Sequence, residues 1–260
     1  MRSAFLEIPG LIGRRTHGAT GETGRSAGFL FKALLGVFRR PVRVRLIAEH
    51  LRFVGNRSVG IIVLTSTFTG MVLTLQGYTA LARFGSTAFL GPLVALSLIR
   101  ELGPVLAALM IAARAGSAMA ATIAGMRVSE QIDALEVMAV DPVRYLASTR
   151  LIATLIAVPM LTAFFDLAGI FAGYAFGVLV LKIDGGTFIE SIREAVEMSD
   201  VASGFYKSIV FAVLIAWMAC DQGYRAQHGA IGIGRATTNA VVLTAILVLA
   251  GDYALTALLF

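Results

Sequence analysis

Five blocks of apolar residues, each almost free of charge, set the pattern of the chain. Ser58 to Ala82 carries no charged residue, and between Arg83 and Arg114 the charges are confined to the adjacent Arg100 and Glu101. Leu151 to Leu181 contains Asp166, Val201 to Cys220 contains Lys207, and Ala236 to Phe260 contains Asp252, one charge apiece. A helix needs about 20 mostly apolar residues to cross a bilayer, so each block predicts one transmembrane helix. Pro92 and the Gly103–Pro104 step predict kinks in the second. The third is longer than one crossing requires and predicts a tilted or overhanging helix. The fold class that follows is an all-α membrane protein.

Shorter amphipathic segments lie between and before these blocks. Residues 10–28 are rich in Gly, Ser and Thr and predict little structure, whereas Phe29 to Phe38 is apolar but too short to span. Arg39, Arg40, Arg43 and Arg45 follow it. That pairing predicts an interfacial helix with arginines among lipid phosphates, a plain soluble extension being the alternative. In Met126 to Pro142, Val128, Ile132, Leu135 and Met138 make an apolar stripe beside an acidic one of Glu130, Asp133 and Glu136. Asp141–Pro142 is expected to stop this helix. An apolar face next to an acidic face suits docking into a groove of another protein better than lying on anionic lipid. From Asp184 to Asp200, Phe188, Ile192, Ala195 and Val196 recur at helical spacing opposite acids, which predicts a second short helix.

Composition narrows the classes. Apolar residues make up 57% and charged residues 15%, against about 25% in an average soluble domain, which excludes a disordered chain. Cys220 is the sole cysteine, so no disulfide forms within the chain. The net charge of +6 is uneven: residues 1–57 hold eleven of the 22 Lys/Arg and three of the 16 acids, hence +8, and the rest carry −2. A basic arm followed by apolar spans points to anionic headgroups rather than nucleic acid. With the N-terminus inside, nearly all loop Lys/Arg fall on the cytoplasmic side, and only Arg83, Lys182 and Arg193 lie outside. Five spans then put Phe260 on the outer face.

Candidate chemistry is sparse. None of the three lysines sits in a Gly-Lys-Ser/Thr loop, so the chain has no Walker A site of its own. Gly229 to Gly234 is glycine-rich but leads into a span rather than joining a strand to a helix. His17, His50 and His228 are too scattered to suggest a metal site. Charges inside spans are costly and mark function or a polar lock by default. Arg100 and Glu101, as neighbours, point about 100° apart on a helix. Lys207 and Asp252, in adjacent spans, are candidates to pair, and Asp166 is expected to bind a neighbouring helix. Gly169, Gly173 and Gly177, and likewise Ala112, Gly116 and Ala120, form small-residue stripes that let helices approach closely.

Several segments carry a family resemblance. Leu75-Gln-Gly-Tyr78, Val94 through Leu106, Ala113-Arg-Ala-Gly-Ser117, Glu130-Gln131, Met138-Ala-Val-Asp-Pro142, Arg235-Ala-Thr-Thr238 and Asp252 through Phe260 closely resemble the MlaE (YrbE) family, and the likeness covers all but about the first 25 residues. It implies one permease domain over 1–260: a basic arm with an interfacial helix over 1–57 and a five-span bundle over 58–260. The implied function is that of an ABC transporter permease in the bacterial inner membrane. It would move phospholipid between the inner and outer membranes and so maintain outer-membrane lipid asymmetry. The implied partners are a second copy of the chain, an ABC ATPase that binds ATP and Mg, a STAS-domain protein and a periplasmic hexamer of MCE-domain proteins; the permease itself has no cofactor. Leu73, Tyr78, Leu81, Phe84 and Arg100 are carried over as lining of the lipid cavity, where the guanidinium fork of Arg100 would suit a phosphate. Glu101, Lys207 and Asp252 match the family's intramembrane charges. Glu130, Gln131, Asp133, Leu135 and Glu136 fall on its coupling helix. Two other readings of the residues stay open: an ion-coupled secondary transporter using Glu101, Lys207 or Asp252, and a membrane anchor for other subunits.

Overall fold

The computed structural model describes residues 24–37 and 44–259, which form nine helices and no strand. They are α1 (24–37), α2 (Val44–Val54), α3 (Val59–Ala82), α4 (Thr87–Val128), α5 (Gln131–Val137), α6 (Arg144–Leu179), α7 (Gly185–Ala195), α8 (Met198–Tyr224) and α9 (Ala230–Leu259). Five stretches are long and apolar enough to cross a membrane: α2 running into α3, then α4, α6, α8 and α9. The chain is therefore a multi-pass membrane protein. Phe38, Arg39, Arg40, Arg43 and Phe260, named in the sequence reading, lie outside the described residues.

Hydrophobicity places these helices in a bilayer but does not bring them together, because lipid tails are as apolar as leucine. Close packing and interhelical hydrogen bonds do that. The largest contact shows how. On α6, Gly169, Gly173 and Gly177 are buried, and on α3 so are Ser66, Gly70, Thr74 and Gly77. A Cβ on Gly70 would collide with the Gly169 backbone, and one on Gly173 would collide with the Thr74 hydroxyl. The Ser66 hydroxyl donates to the Phe165 carbonyl in the same seam. Ala112, Gly116 and Ala120 of α4 are buried too, with Gly116 facing Ile215 and Ala120 facing Gly223 of α8. Both glycine-alanine stripes thus pack helices within the chain. α8 lies between α6 and α9, and α4 runs against α6, α8 and α9.

α4 is not a uniform helix. It begins with a 3-10 turn at Thr87–Phe89, and Pro92 falls in the first α-helical turn, where a missing N–H leaves no bond broken. Irregularity comes further along, as wide π turns at Leu98–Leu102 and Ala112–Gly116. The second holds Arg114, whose Nη1 donates to the Phe53 carbonyl (3.0 Å) and the Ser58 hydroxyl (2.8 Å), with the guanidinium over the Phe53 ring. A cation thus meets the carbonyl end of α2, where the helix dipole favours it.

The arm is more helical than its composition suggests. α1 is already helical at residue 24, five positions before the apolar run, and α2 adds a second helix that the arginines Arg45 and Arg52 hide from a hydropathy scan. α1 is fastened to the bundle. Trp217 Nε1 donates to the Ser26 carbonyl (3.0 Å), the Ser26 hydroxyl donates to Asp221 (2.9 Å), and the Ser148 hydroxyl donates to the Ala33 carbonyl (2.8 Å). Phe29 and Ala33 are buried while Phe31 and Leu35 stand exposed, so one apolar edge grips protein and another is left for lipid. α1 shares its end of the bundle with α5, the start of α6 and the close of α8. α7 sits at the opposite end, packed by Phe188 against Tyr174. Its N-cap is Asp184, and the Thr187 amide (2.6 Å) and hydroxyl (2.8 Å) hold that exposed carboxylate below the usual carboxylate range.

Candidate functional site

The first π turn of α4 organises the charges inside the bundle. Pro104 has no N–H, so the Arg100 carbonyl four residues earlier loses its helical donor. Lys207 of α8 supplies the replacement, its Nζ lying 3.0 Å from that oxygen. The same ammonium donates to Glu101 Oε2 (2.6 Å) and Thr256 Oγ1 (2.7 Å) and pairs with Asp252 Oδ1 at 3.0 Å. The Thr256 hydroxyl in turn reaches Glu101 Oε1 at 3.2 Å. Three helices meet at one cation. Lys207 is fully buried, while Glu101 keeps 37% and Asp252 21% of its side-chain exposure. An ammonium has three protons and no lone pair, so every donor of Lys207 is in use.

Arg100 points elsewhere, as its offset from Glu101 requires. Its Nε lies 2.7 Å from Asp200 Oδ1, and its Nη2 also pairs with that oxygen. Asp200 is buried at the first turn of α8, where its second oxygen accepts from the Glu197 amide (3.0 Å) in a capping box. Arg100 itself remains 38% exposed. The sequence reading counted Asp200 among the acids of the α7 loop and missed this partner. Asp166 of α6 lies against Gly103, where no side chain would fit, and its Oδ1 is buried with no hydrogen-bond partner among the described residues.

The carried-over lining residues separate on α3. Leu73 borders an apolar recess of about 500 Å³ together with Phe68, Thr69, Val72 and Gln76 of α3 and Leu102 of α4. Leu73, Tyr78 and Leu81 all pack against the bundle core, Tyr78 and Leu81 outside the recess lining, and Phe84 is 80% exposed beyond the last turn of α3. Five residues of helix rotate a side chain about 140°, so Leu73 and Tyr78 cannot line one face. Phe68, Val72 and Gln76 each stand two residues beyond a buried small residue, Ser66, Gly70 or Thr74, and two residues is about half a turn. The small-residue stripe could have located the recess.

α5 presents less than its stripe implies. Ile132 is buried and Leu135 half-buried, but Met138 is 64% and Val137 88% exposed. Glu130 at the start and Ala139 past the end each adopt a left-handed φ of 58°, so the helix begins at Gln131 and ends at Val137, before Asp141–Pro142. Asp141 then caps α6, accepting from the Val143 amide at 3.0 Å. Asp133 pairs with Arg127 at 2.6 Å, and Glu136 accepts from the Tyr224 hydroxyl at 3.2 Å. Glu130, Gln131, Asp133 and Glu136 are all exposed.

Known proteins match this chain over most of its length. The family model Permease MlaE matches residues 47–258. The intermembrane phospholipid transport system permease protein MlaE of Haemophilus influenzae is 42% identical over 91% of each chain. The protein named "Probable ABC transporter permease protein" of Rickettsia typhi is 40% identical over 98% of this chain and 99% of its own. The chloroplastic protein Trigalactosyldiacylglycerol 1 of Arabidopsis thaliana is 34% identical, over 88% of this chain and 65% of its own. With the matched segment running from α2 to the end of α9, the chain belongs to the MlaE permease family.

Proposed function

We propose that this chain is the membrane permease of an ABC transporter that carries phospholipid between the inner and outer membranes of a bacterium. The observation that supports it best is the recess at Phe68, Val72 and Leu102 on a bundle of this family. It is apolar, opens on the exposed face of α3 and is bounded on α4 by Leu102, two residues and about half a turn from Arg100. A phospholipid needs apolar walls for its tails and a cation near its head, and Leu102 of the recess and Arg100 stand at nearly the same level along α4. One chain supplies only one wall, so a second copy facing it across α3 completes the cavity. Arg100 is the headgroup contact in this reading, with Asp200 orienting its guanidinium. The N-terminus and α5 face the cytoplasm, α7 faces the periplasm, and α5 offers Glu130, Val137 and Met138 to an ATPase that binds ATP and Mg. A STAS-domain protein and an MCE-domain hexamer complete the assembly. The sealed contacts of Lys207 favour this reading over a proton-coupled one, since an ammonium with all donors engaged has no vacancy for a moving proton.

The test is to fill the recess. Val72→Trp should reduce phospholipid phosphorus recovered per purified complex severalfold while subunit stoichiometry is unchanged. Full lipid occupancy with a tryptophan at that position would place the cargo elsewhere.

A further inference from the structure

A second and larger cleft lies away from α3. It measures about 1130 Å³, above the range of about 300–1,000 Å³ for ordinary small-molecule pockets, and is enclosed by α1, the end of α8 and the first half of α9. It shares no residue with the α3 recess. The Lys207–Asp252 pair fixes the relative register of α8 and α9 and serves as a ruler down the cleft. At 1.5 Å per residue, Leu247 lies about 8 Å below that pair, Leu243 about 14 Å and Trp217 about 15 Å. By the same count Asn239 lies about 20 Å below it and Arg225 about 27 Å. Polarity therefore rises with distance from that pair: leucines and tryptophan first, an amide next, a guanidinium last. Arg25 and Lys32 of α1 add two exposed cations at the polar end. The carboxylate there is Asp221, which is buried and already engaged with Ser26 and Arg225.

Apolar, then amide, then cationic is the polarity sequence of a glycerophospholipid read from tails to head. Three cations against one carboxylate select an anionic head, and long basic side chains reach outward from the interface readily. We propose that this cleft holds an anionic glycerophospholipid of the surrounding leaflet. Its tails lie along Leu243 and Leu247, and its phosphate rests among Arg25, Lys32 and Arg225. This lipid is a resident that joins α1 to α8 and α9. It is separate from any cargo in the α3 recess, and the inference does not rest on what that recess carries.

The experiment uses the full-length protein reconstituted in vesicles containing a radiolabelled phospholipid. A photoreactive benzoylphenylalanine is placed at Leu243 in one preparation and at Phe68 in another. Irradiation should couple labelled lipid at Leu243, with severalfold higher yield from phosphatidylglycerol vesicles than from phosphatidylcholine vesicles. Arg25→Glu with Lys32→Glu should abolish that preference and leave the Phe68 yield unchanged. If the charge reversals also lower the Phe68 yield, they have disturbed the fold, and the headgroup comparison in the unreversed chain decides. No lipid adduct at Leu243, equal yields from the two vesicles, or an adduct to a second copy of the chain would each overturn the proposal. Loss of the Phe68 adduct alone would count against the cargo site only.

Discussion

The charges around Lys207 and those on α5 occupy opposite ends of one bundle and are used in opposite ways. Lys207 is sealed, and its protons are taken up by Glu101, Thr256 and a carbonyl that proline has orphaned. On α5, the Asp133–Arg127 and Glu136–Tyr224 contacts lie in solvent, where such pairs contribute about 0–1 kcal/mol. In the membrane an unsatisfied charge is costly, and the protein meets that of Lys207 with partners from three of its own helices. Where water reaches, acids can stand loosely and wait for another protein. A charge in a span is thus first evidence about how helices are joined, whereas a charge on a short exposed helix is first evidence about a partner.

Topology gives the largest effect and would break this comparison outright. With Cys220 replaced, a cysteine at Ser191 on α7 should react with an impermeant thiol reagent applied outside intact inner membranes, and one at Ser129 beside α5 should not. Labelling of Ser129 from outside would put α5 on the wrong side to meet a cytoplasmic ATPase. Next in size is the lock. Lys207→Met leaves two carboxylates facing each other, and breaking a buried pair from one side costs about 3–5 kcal/mol. The variant should be recovered in low yield and aggregate on gentle heating in detergent. Asp252→Asn keeps the ammonium paired to Glu101 and should behave nearly as the parent does. Equal losses in both would mean that Asp252, not Lys207, is the centre of the cluster.

Much of this was legible in advance, for reasons that differ by scale. The spans are set by solvent, and a bilayer imposes the same length on every helix, so all five appear in the hydropathy. The Lys207–Asp252 pairing was readable because adjacent spans leave a buried ammonium few choices. Asp200 was not, because it sits 100 residues from Arg100 in a segment whose helical period assigned it to another task. α2 was hidden since Arg45 and Arg52 break the apolar run although both lie on its outer side. Tyr78 and Leu81 follow from the resemblance alone, and helical angle sets Tyr78 about 140° and Leu81 about 80° from Leu73. The small residues at 66, 70 and 74 would have shown that the open face of α3 runs through Phe68, Val72 and Gln76.

The exposed end calls for a smaller effect, on association rather than stability. Glu130→Lys with Asp133→Lys should leave membrane insertion and thermal stability intact, since only solvent-exposed contacts change. ATPase co-purification should fall severalfold. Val137→Ser with Met138→Ser, which removes the two bare apolar side chains at the end of α5, should have a comparable effect without altering charge. Normal co-purification in both double variants would mean that this helix is not what the ATPase grips.

The smallest effect tests the argument about Pro104. If the proline matters because it frees the Arg100 carbonyl for Lys207, then Pro104→Ala returns an N–H that competes for that oxygen. Lys207 would keep Glu101, Thr256 and Asp252 and lose at most one neutral acceptor. Interhelical hydrogen bonds within membranes average about 0.6 kcal/mol, so the thermal midpoint should drop by no more than a few degrees. The sharper measurement is a double-mutant cycle with Thr256→Val, which removes a different ligand of the same ammonium. Groups that share a partner couple by about 0.5–3 kcal/mol, so Pro104→Ala and Thr256→Val together should depart from the sum of their separate losses. A loss from Pro104→Ala as large as that of Lys207→Met would show that the proline acts by shaping α4 as a whole. Strict additivity would show that the Arg100 carbonyl and the Thr256 hydroxyl do not answer to one cation, and the lock would then have to be redrawn around Glu101 and Asp252 alone.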